Sequence, residues 1–459
     1  MKITSLHIKN FRCFEDLKIE FNTGNSNTGG LTVLVAKNGE GKTTVLDALN
    51  IAYGPFITKL TKERDRYLIS ADDNYLSPTG VLTEYASIEA CIENPELFYN
   101  RYGHKNFCVK RYFDGLKQST KTEDHYHLTN LARHIYDWRN EGEPWPLFGY
   151  YGEQRLVGIP DIGDIVEKDS SFVADRLLGY KNARQPVIGY KYCLKWFREL
   201  SLWEFGERMK QEENDSSFDA EFLEQMQEQL RLLKDALRQV MFPAGYTEIS
   251  YSAKYKELVC WNPHSEFHSS RIPVSRLSAG IRTTLGMIID MIYRCIKLNP
   301  QLGKDCLKAT PGIIMIDEIE LALHPAWQQQ ILPALQCIFP KVQFIVTTHS
   351  PQVVSSVPSE CVRVIANGEI FNAPIKTEGA RVDQILFDIF GVSARYANSE
   401  VTKALAEYEL LINQNQWDSI RGKELWAKIQ RDLSTDPILA KLAMRVHLKE
   451  YQRAQNEKN

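Results

Sequence analysis

The chain opens on KITSLHIKNFRCFEDLKIEF, where apolar and polar residues alternate through two runs around a short turn at Arg12 to Asp16. This period of two predicts an antiparallel hairpin with one buried face. A polar Gly/Asn/Ser/Thr loop follows, then the unbroken apolar run LTVLVA of a buried strand, then KTTVLDALNIAY with apolar residues at helical spacing. Strand-like patterning returns between Thr83 and Tyr112, with turn signals at Asn94-Pro95 and Tyr102-Gly103, and the run LFGYYG (Leu147 to Gly152) closes the first half. From Val166 to Val240 the chain is charged and mostly helical, broken at QEENDSS before the amphipathic stretch FLEQMQEQLRLLKDALRQVM. This predicts an inserted helical arm, too short to be a long coiled coil. The second half reads as a hairpin (YTEISYSAKYKELVCW), a helix after Ser278, the strand GIIMID, a helix after Pro325, the strands VQFIVTT and CVRVIA, and a helical tail from about Val382.

Composition narrows this picture only a little. A length of 459 residues holds one large α/β domain with an insertion, or two to three modest domains. The net charge of −3 supplies no global basic field that would by itself demand nucleic acid, and leaves a local basic patch open. The cysteines are scattered, none in a C-x-x-C pair, and their odd number, 9, fits a reducing compartment better than a disulfide framework. MKITSLHIKNF lacks the apolar core of a signal peptide, and the longest apolar runs fall far short of a membrane span. The expectation is a soluble, cytoplasmic protein without a membrane partner.

Four motifs carry the chemistry. AKNGEGKTT (Ala36 to Thr44) lies between a buried strand and a helix, where a loop turns successive N–H groups and a helix N-terminus toward an anion. Asn38, Gly39, Glu40, Gly41, Lys42, Thr43 and Thr44 are the candidate nucleotide-binding residues: the glycines admit close approach of phosphate, Lys42 reaches the β/γ-phosphates and Thr43 ligates Mg²⁺. Ala36 stands where the P-loop consensus has Gly. IIMIDEIE (Ile313 to Glu320) is an apolar strand ending in acids, with Asp317 placed to hold Mg²⁺ and Glu318 to polarise the attacking water. RLSAGIRTTL (Arg276 to Leu285) puts Ser278 and Gly280 at a helix start, a second anion site. FIVTTHSP ends a further strand at His349, near where a γ-phosphate would sit. Each motif alone has a bland reading as a turn, a cap or a structural histidine. Together, in one order and with a large insert between the first and third, they predict an ABC-type ATPase head: an α/β P-loop fold with a mixed sheet, an antiparallel β subdomain, an inserted helical arm and a helical C-terminal tail. The expected division is 1–155 (first lobe), 156–245 (arm), 246–380 (second lobe) and 381–459 (tail).

The patterns L-x-I-x-N-F-R-x-F, N-G-x-G-K-T, L-S-x-G, D-E-x-E-x-x-L-H-P and T-T-H-S-P resemble those of the RecF/OLD/SMC-related ABC ATPases, over Met1 to about Tyr53 and Arg276 to about Ile365. The resemblance implies that Glu318 is catalytic, that Leu321 to Pro325 form the D-loop, that His349 is the switch histidine and that Arg12 contacts phosphate. It places the Q-loop glutamine at the end of the first lobe, where Gln154 is the candidate and a plain strand-capping role is the alternative. It also implies a homodimer, or a higher assembly, in which ATP is sandwiched against the signature of the opposite subunit. The family usually has Pro where this chain has Ile319.

Three functions stay open on these residues. The chain is similar to PtuA-type ATPases of Septu and retron-linked antiphage systems, which implies a regulatory ATPase controlling a separate small HNH nuclease (PtuB-like), with no nuclease of its own. A RecF-like repair ATPase would instead clamp DNA directly, with Lys59/Lys62/Arg64/Arg66 and Lys105/Lys110/Arg111 as basic clusters that are more simply solvated surface. A scaffold with negligible hydrolysis conflicts with intact Glu318 and His349. His125-x-His127 and Cys260/His264/His268 match no standard zinc spacing.

Overall fold

The computed structural model describes residues 1–25, 27–62, 64–76, 83–93, 106–114, 119–123, 125–137, 142–156, 176–185, 190–263 and 271–456. His264, His268 and Lys105 lie outside them, as do the side chains of His125 and Gln154. The chain divides into two compact units, Met1–Ile385 and Leu386–Asn459.

The larger unit is built on a six-stranded sheet in the order β14-β13-β3-β12-β11-β7. Its strands are β3 (Leu31–Ala36), β7 (Leu147–Tyr151), β11 (Gly312–Ile316), β12 (Val342–Thr348), β13 (Val362–Ala366) and β14 (Glu369–Asn372). Pairings among β13, β3, β12, β11 and β7 are parallel, and β14 closes the edge antiparallel to β13. Every residue of β3, β7, β11 and β12 is buried, which is why these strands read as continuous apolar runs instead of alternating ones. Their carboxyl ends lie side by side, and in open parallel sheets that edge is where ligands bind.

A second, antiparallel sheet runs β2-β1-β4-β5-β6. It comprises β1 (Lys2–Phe11), β2 (Phe14–Glu20), β4 (Tyr85–Glu93), β5 (Asn106–Asp114) and β6 (Ser119–Glu123). It shows the expected alternation: Ile88, Ala90 and Ile92 face the core while Glu89, Cys91 and Glu93 face outward. The β4–β5 register sets Cys91 directly opposite Cys108, and the two are joined as a disulfide with Cα atoms 4.0 Å apart. This corrects the expectation of unpaired thiols. The cysteines are 17 residues apart, and only the strand register makes them neighbours.

The arm is a pair of long helices. Before it comes α1 (Lys42–Ala52); the arm itself is α2 (Tyr190–Glu213) and α3 (Ala220–Met241). Asp219 caps α3 by accepting from the Phe222 N–H at 2.9 Å. Leu223, Met226, Leu230, Leu233 and Leu237 recur every three or four residues on its buried face. The Trp327 indole donates to the Val240 carbonyl at 2.8 Å, tying the end of α3 to the segment after β11. A three-stranded sheet, β8 (Glu248–Ser252), β9 (Glu257–Trp261) and β10 (Arg271–Pro273), leads to α4 (Ala279–Leu298).

The smaller unit is helical, with α5 (Glu400–Asn413), α6 (Ile420–Asp432) and α7 (Ile438–Asn456). It has its own apolar core of Ala404, Leu405, Tyr408, Ile412, Trp417, Leu425, Ile429 and Leu442. Among the described residues, no helix is long and apolar enough to cross a membrane.

Candidate functional site

The P-loop spans β3 and α1, as its spacing predicts. Gly39 and Gly41 have φ of 82° and 92°, a region open to glycine and unfavourable to other residues. A Cβ on Gly41 would lie 2.4 Å from the Phe14 ring and 2.5 Å from Cys13 Sγ, so the β1–β2 turn closes against the loop. Gly39 has open space around it. Asn38 is exposed, and Glu40 folds back to accept the Lys37 N–H at 3.1 Å. Lys42 is buried, and its ammonium donates to the carbonyls of Ala36 (3.2 Å) and Lys37 (3.4 Å). Burial lowers the Lys42 pKa, with Asp317, Glu318, Glu320 and Glu40 opposing that shift. Ala36 is the last residue of β3 and has no positive φ, so the missing consensus glycine carries no conformational penalty here.

Three more strand ends converge on this loop. The Thr43 hydroxyl donates to Asp317 Oδ2 at 2.8 Å, joining the start of α1 to the end of β11. Asp317 is 3% exposed and also accepts from the Thr347 hydroxyl of β12 at 2.5 Å. Thr347 Oγ1 accepts in turn from the Glu318 N–H at 2.8 Å, and the Ile319 N–H donates to the Thr347 carbonyl at 3.1 Å. Proline at position 319 could not make that last bond, which is what isoleucine contributes here. Glu318 is half-buried and left-handed, with φ 48°. Its carboxyl is pushed above the usual range by burial and then by the carboxylates of Glu153, Glu320 and Asp317.

His349 follows β12, and its N–H donates to Glu320 Oε1 at 2.5 Å while the Thr348 hydroxyl donates to Glu320 Oε2 at 2.7 Å. Burial, then the charge of Lys42, lowers the imidazole pKa from the ordinary histidine value, with Glu320 and Asp317 opposing the shift. Glu320 therefore anchors the histidine-bearing strand end to the turn after β11, a role that the sequence pattern did not reveal.

The other predicted residues fall into place less directly. Ser278 is the exposed N-cap of α4, accepting from the Ile281 N–H at 3.4 Å. Gly280 is buried against the turn after β11: a Cβ there would meet the Ala322 carbonyl oxygen at 1.9 Å. Among the described residues, no hydrogen bond links Ser278 or Gly280 to the P-loop. Arg12 has its guanidinium committed to carboxylates, Nη1 to Asp47 at 2.5 Å and Nε to Asp73 at 2.8 Å. Asp47 also accepts from the Tyr150 hydroxyl at 2.7 Å. Gln154 sits in the short helical turn Glu153–Leu156 after β7. Its neighbour Arg155 is buried and donates to the main-chain carbonyls of Asp317 and Glu318, a role the sequence pattern did not reveal.

Comparisons with known proteins agree with this geometry. A model described as an AAA domain matches residues 5–241, just over half of the chain, and one described as an AAA ATPase domain matches residues 182–354. The chain is 26% identical to the Retron Ec83 probable ATPase of Escherichia coli, over 95% of this chain and 84% of that one. It is 30% identical to the Septu protein PtuA of Bacillus thuringiensis over 31% of this chain and 38% of that one. Among solved structures, the SmcHead bound to the C-winged helix domain of ScpA aligns with TM-score 0.44 and 14% identity, covering 82% of this chain and 98% of that chain. With a matched domain model, a glycine-turned phosphate loop and acids gathered at the adjoining strand ends, the chain belongs to the AAA domain family of nucleotide-binding P-loop ATPases.

Proposed function

We propose that the chain is an ATP-driven, dimerising regulatory ATPase of an antiphage defence complex, controlling a separate HNH-type nuclease subunit. The observation that carries the reading is the 2.8 Å hydrogen bond from Thr43 to Asp317. It joins the P-loop hydroxyl to a buried carboxylate at the end of the neighbouring motif strand, a hard-oxygen pair that suits Mg²⁺ in a nucleotide site. Bound there, Mg²⁺ would neutralise charge on the β- and γ-phosphate oxygens. The chain's own groups do the rest. Lys42 leaves its carbonyl partners to hold phosphate beside the N–H groups of 39–44, and Arg12 would join it on release from Asp47 and Asp73. Glu318 accepts the proton of the attacking water, for which a raised carboxyl pKa is the right direction. His349 donates toward the γ-phosphate from the end of β12.

Ser278 caps α4 at an exposed position, close to the buried Gly280, which packs against Ala322. That arrangement supports completion of the site by a second copy, whose α4 start would approach the bound phosphates. ATP would then close two chains and hydrolysis would release them, the Gln154 turn sensing the nucleotide. Likeness to a retron ATPase and to PtuA along the sequence supports a defence role in the cytoplasm, and with it a nuclease partner.

The test is the Glu318→Gln protein in saturating Mg-ATP, followed by light scattering. The expected result is a stable dimer that dissociates when ATP is removed, and a strictly monomeric protein would sink the sandwich. Co-expression with the neighbouring open reading frames, followed by pull-down and a nuclease assay with and without ATP, tests the partner. Recovery of an ATP-responsive HNH protein supports the reading. A lone chain that clamps duplex DNA in ATP overturns it in favour of repair.

A further inference from the structure

We infer that Arg155 is a positioning residue for Glu318: its guanidinium, clamped on the carbonyls of Asp317 and Glu318, fixes the left-handed backbone that aims the Glu318 carboxylate. The inference rests on the reading of Glu318 as the general base.

Successive carbonyls of an extended strand point to opposite sides. Those of Asp317 and Glu318 instead accept from one guanidinium, the first from Nη1 and the second from Nη2, while Nη1 also donates to the Gly152 carbonyl at 3.1 Å. Two consecutive carbonyls converge in this way because the chain leaves strand geometry at Glu318, with φ 48°. The planar fork of arginine matches two adjacent acceptors, and a lysine ammonium does not reproduce it. Thr347 holds the opposite side of the same turn, accepting the Glu318 N–H and bonding Asp317. The turn is therefore held from β7 on one flank and from β12 on the other.

The environment fits a cation placed for structure at a reactive centre. Arg155 is 6% exposed, and burial lowers its pKa to about 10, with Asp317, Glu320, Glu318 and Glu153 opposing the shift. A cation this deep is tolerated when its donors are satisfied and opposite charge surrounds it. Among the described residues its hydrogen bonds go to main-chain oxygens and not to side-chain carboxylates, which leaves the Glu318 carboxylate to act on water. Arg155 also sits one residue after Gln154 in the turn that follows β7, so movement of that turn would be transmitted directly to the base.

The experiment compares Arg155→Ala, Arg155→Lys, Glu318→Gln and the Arg155→Ala/Glu318→Gln pair in the full chain, reading kcat, the Kd of a fluorescent ATP analogue and the thermal midpoint. The expected result is a fall in kcat of at least about 30-fold in Arg155→Ala, within the range of lost catalytic-group positioning, with Kd changed by less than about threefold. Arg155→Lys keeps the charge and recovers little of kcat, because it lacks the fork. The double variant is no slower than Glu318→Gln alone, as for residues acting as one unit. Full activity in Arg155→Ala alongside a dead Glu318→Gln overturns the inference and leaves the assignment of the base intact. Full activity in Glu318→Gln overturns the assignment itself. Should Arg155→Ala fail to fold, Arg155→Lys decides: wild-type kcat in that variant means the charge and not the fork is what the site needs, and the inference falls.

Discussion

The P-loop and the turn after β11 both run left-handed, and they do so by different means. In the P-loop the left-handed residues are Gly39 and Gly41; after β11 they are Glu318 (φ 48°) and Ala322 (φ 57°), which carry side chains. Glycine adopts this conformation freely, whereas a residue with a Cβ is strained by about 1–2 kcal/mol. The difference follows from what each turn must present. A phosphate is gripped by main-chain N–H groups, so the loop can dispense with side chains and gains from their absence. A base must offer its own carboxylate, so the strain stays and neighbours must offset it. Arg155, in the turn after β7, and Thr347 of β12 supply hydrogen bonds to the main chain of that turn.

The sharpest way to break this comparison is to exchange the two solutions. Glu318→Gly should lower kcat by about 10³-fold, within the range for loss of a general base. The same substitution should raise stability to denaturant by about 1 kcal/mol, since the left-handed backbone is then unstrained. A variant that is both dead and less stable would show that Glu318 is not strained. The reverse exchange, Gly41→Ala, should weaken nucleotide binding about 100-fold by calorimetry, comparable to losing a preorganised anion donor, because its Cβ meets Phe14 and Cys13 at φ 92°.

Smaller effects sharpen the account of what holds the acid turn. Thr347→Val removes the hydroxyl that bonds Asp317 and accepts from Glu318, and a hydrogen bond to a charged group is worth about 1.5–3 kcal/mol. The expected kcat loss is about tenfold, with the ATP Kd less affected. Ile319→Pro deletes one main-chain bond to Thr347, an effect of about 1 kcal/mol on unfolding. Ala36→Gly, which restores the consensus, should change ATP affinity by less than about threefold, since Ala36 already has ordinary strand geometry. A large gain in affinity would mean that the methyl group obstructs phosphate.

Much of the fold was legible because its determinants are local. The alternation in KITSLHIKNF, the apolar runs of β3, β11 and β12 and the period of α3 each announce their element without reference to the rest of the chain. Residues 42, 43, 317, 318 and 349 stand out as candidates for the same reason: each lies at the end of a strand or the start of a helix, in a short run of characteristic chemistry. Gln154 was chosen from the junction after LFGYYG; its side chain lies outside the described residues, and its neighbour Arg155 is placed at the acid turn. An arginine beside a strand end has no local mark that separates a surface cation from a buried clamp. The Cys91–Cys108 bond is equally invisible, because the partners lie 17 positions apart and only the β4–β5 register opposes them.

The sequence by itself determined which segments become strands and helices, and where phosphate-binding and acidic chemistry enters the chain, because glycine spacing, apolar period and residue type act over a few neighbouring positions. Only the tertiary structure decided that the ends of β7, β11 and β12 stand together, so that Arg155, Asp317 and Thr347 share one hydrogen-bonded turn. The physical reason is that neighbouring positions in a parallel sheet are set by packing and register across the whole sheet. Those hydrogen bonds come into being only once Ile316 has aligned with Tyr151 on one side and Val346 on the other.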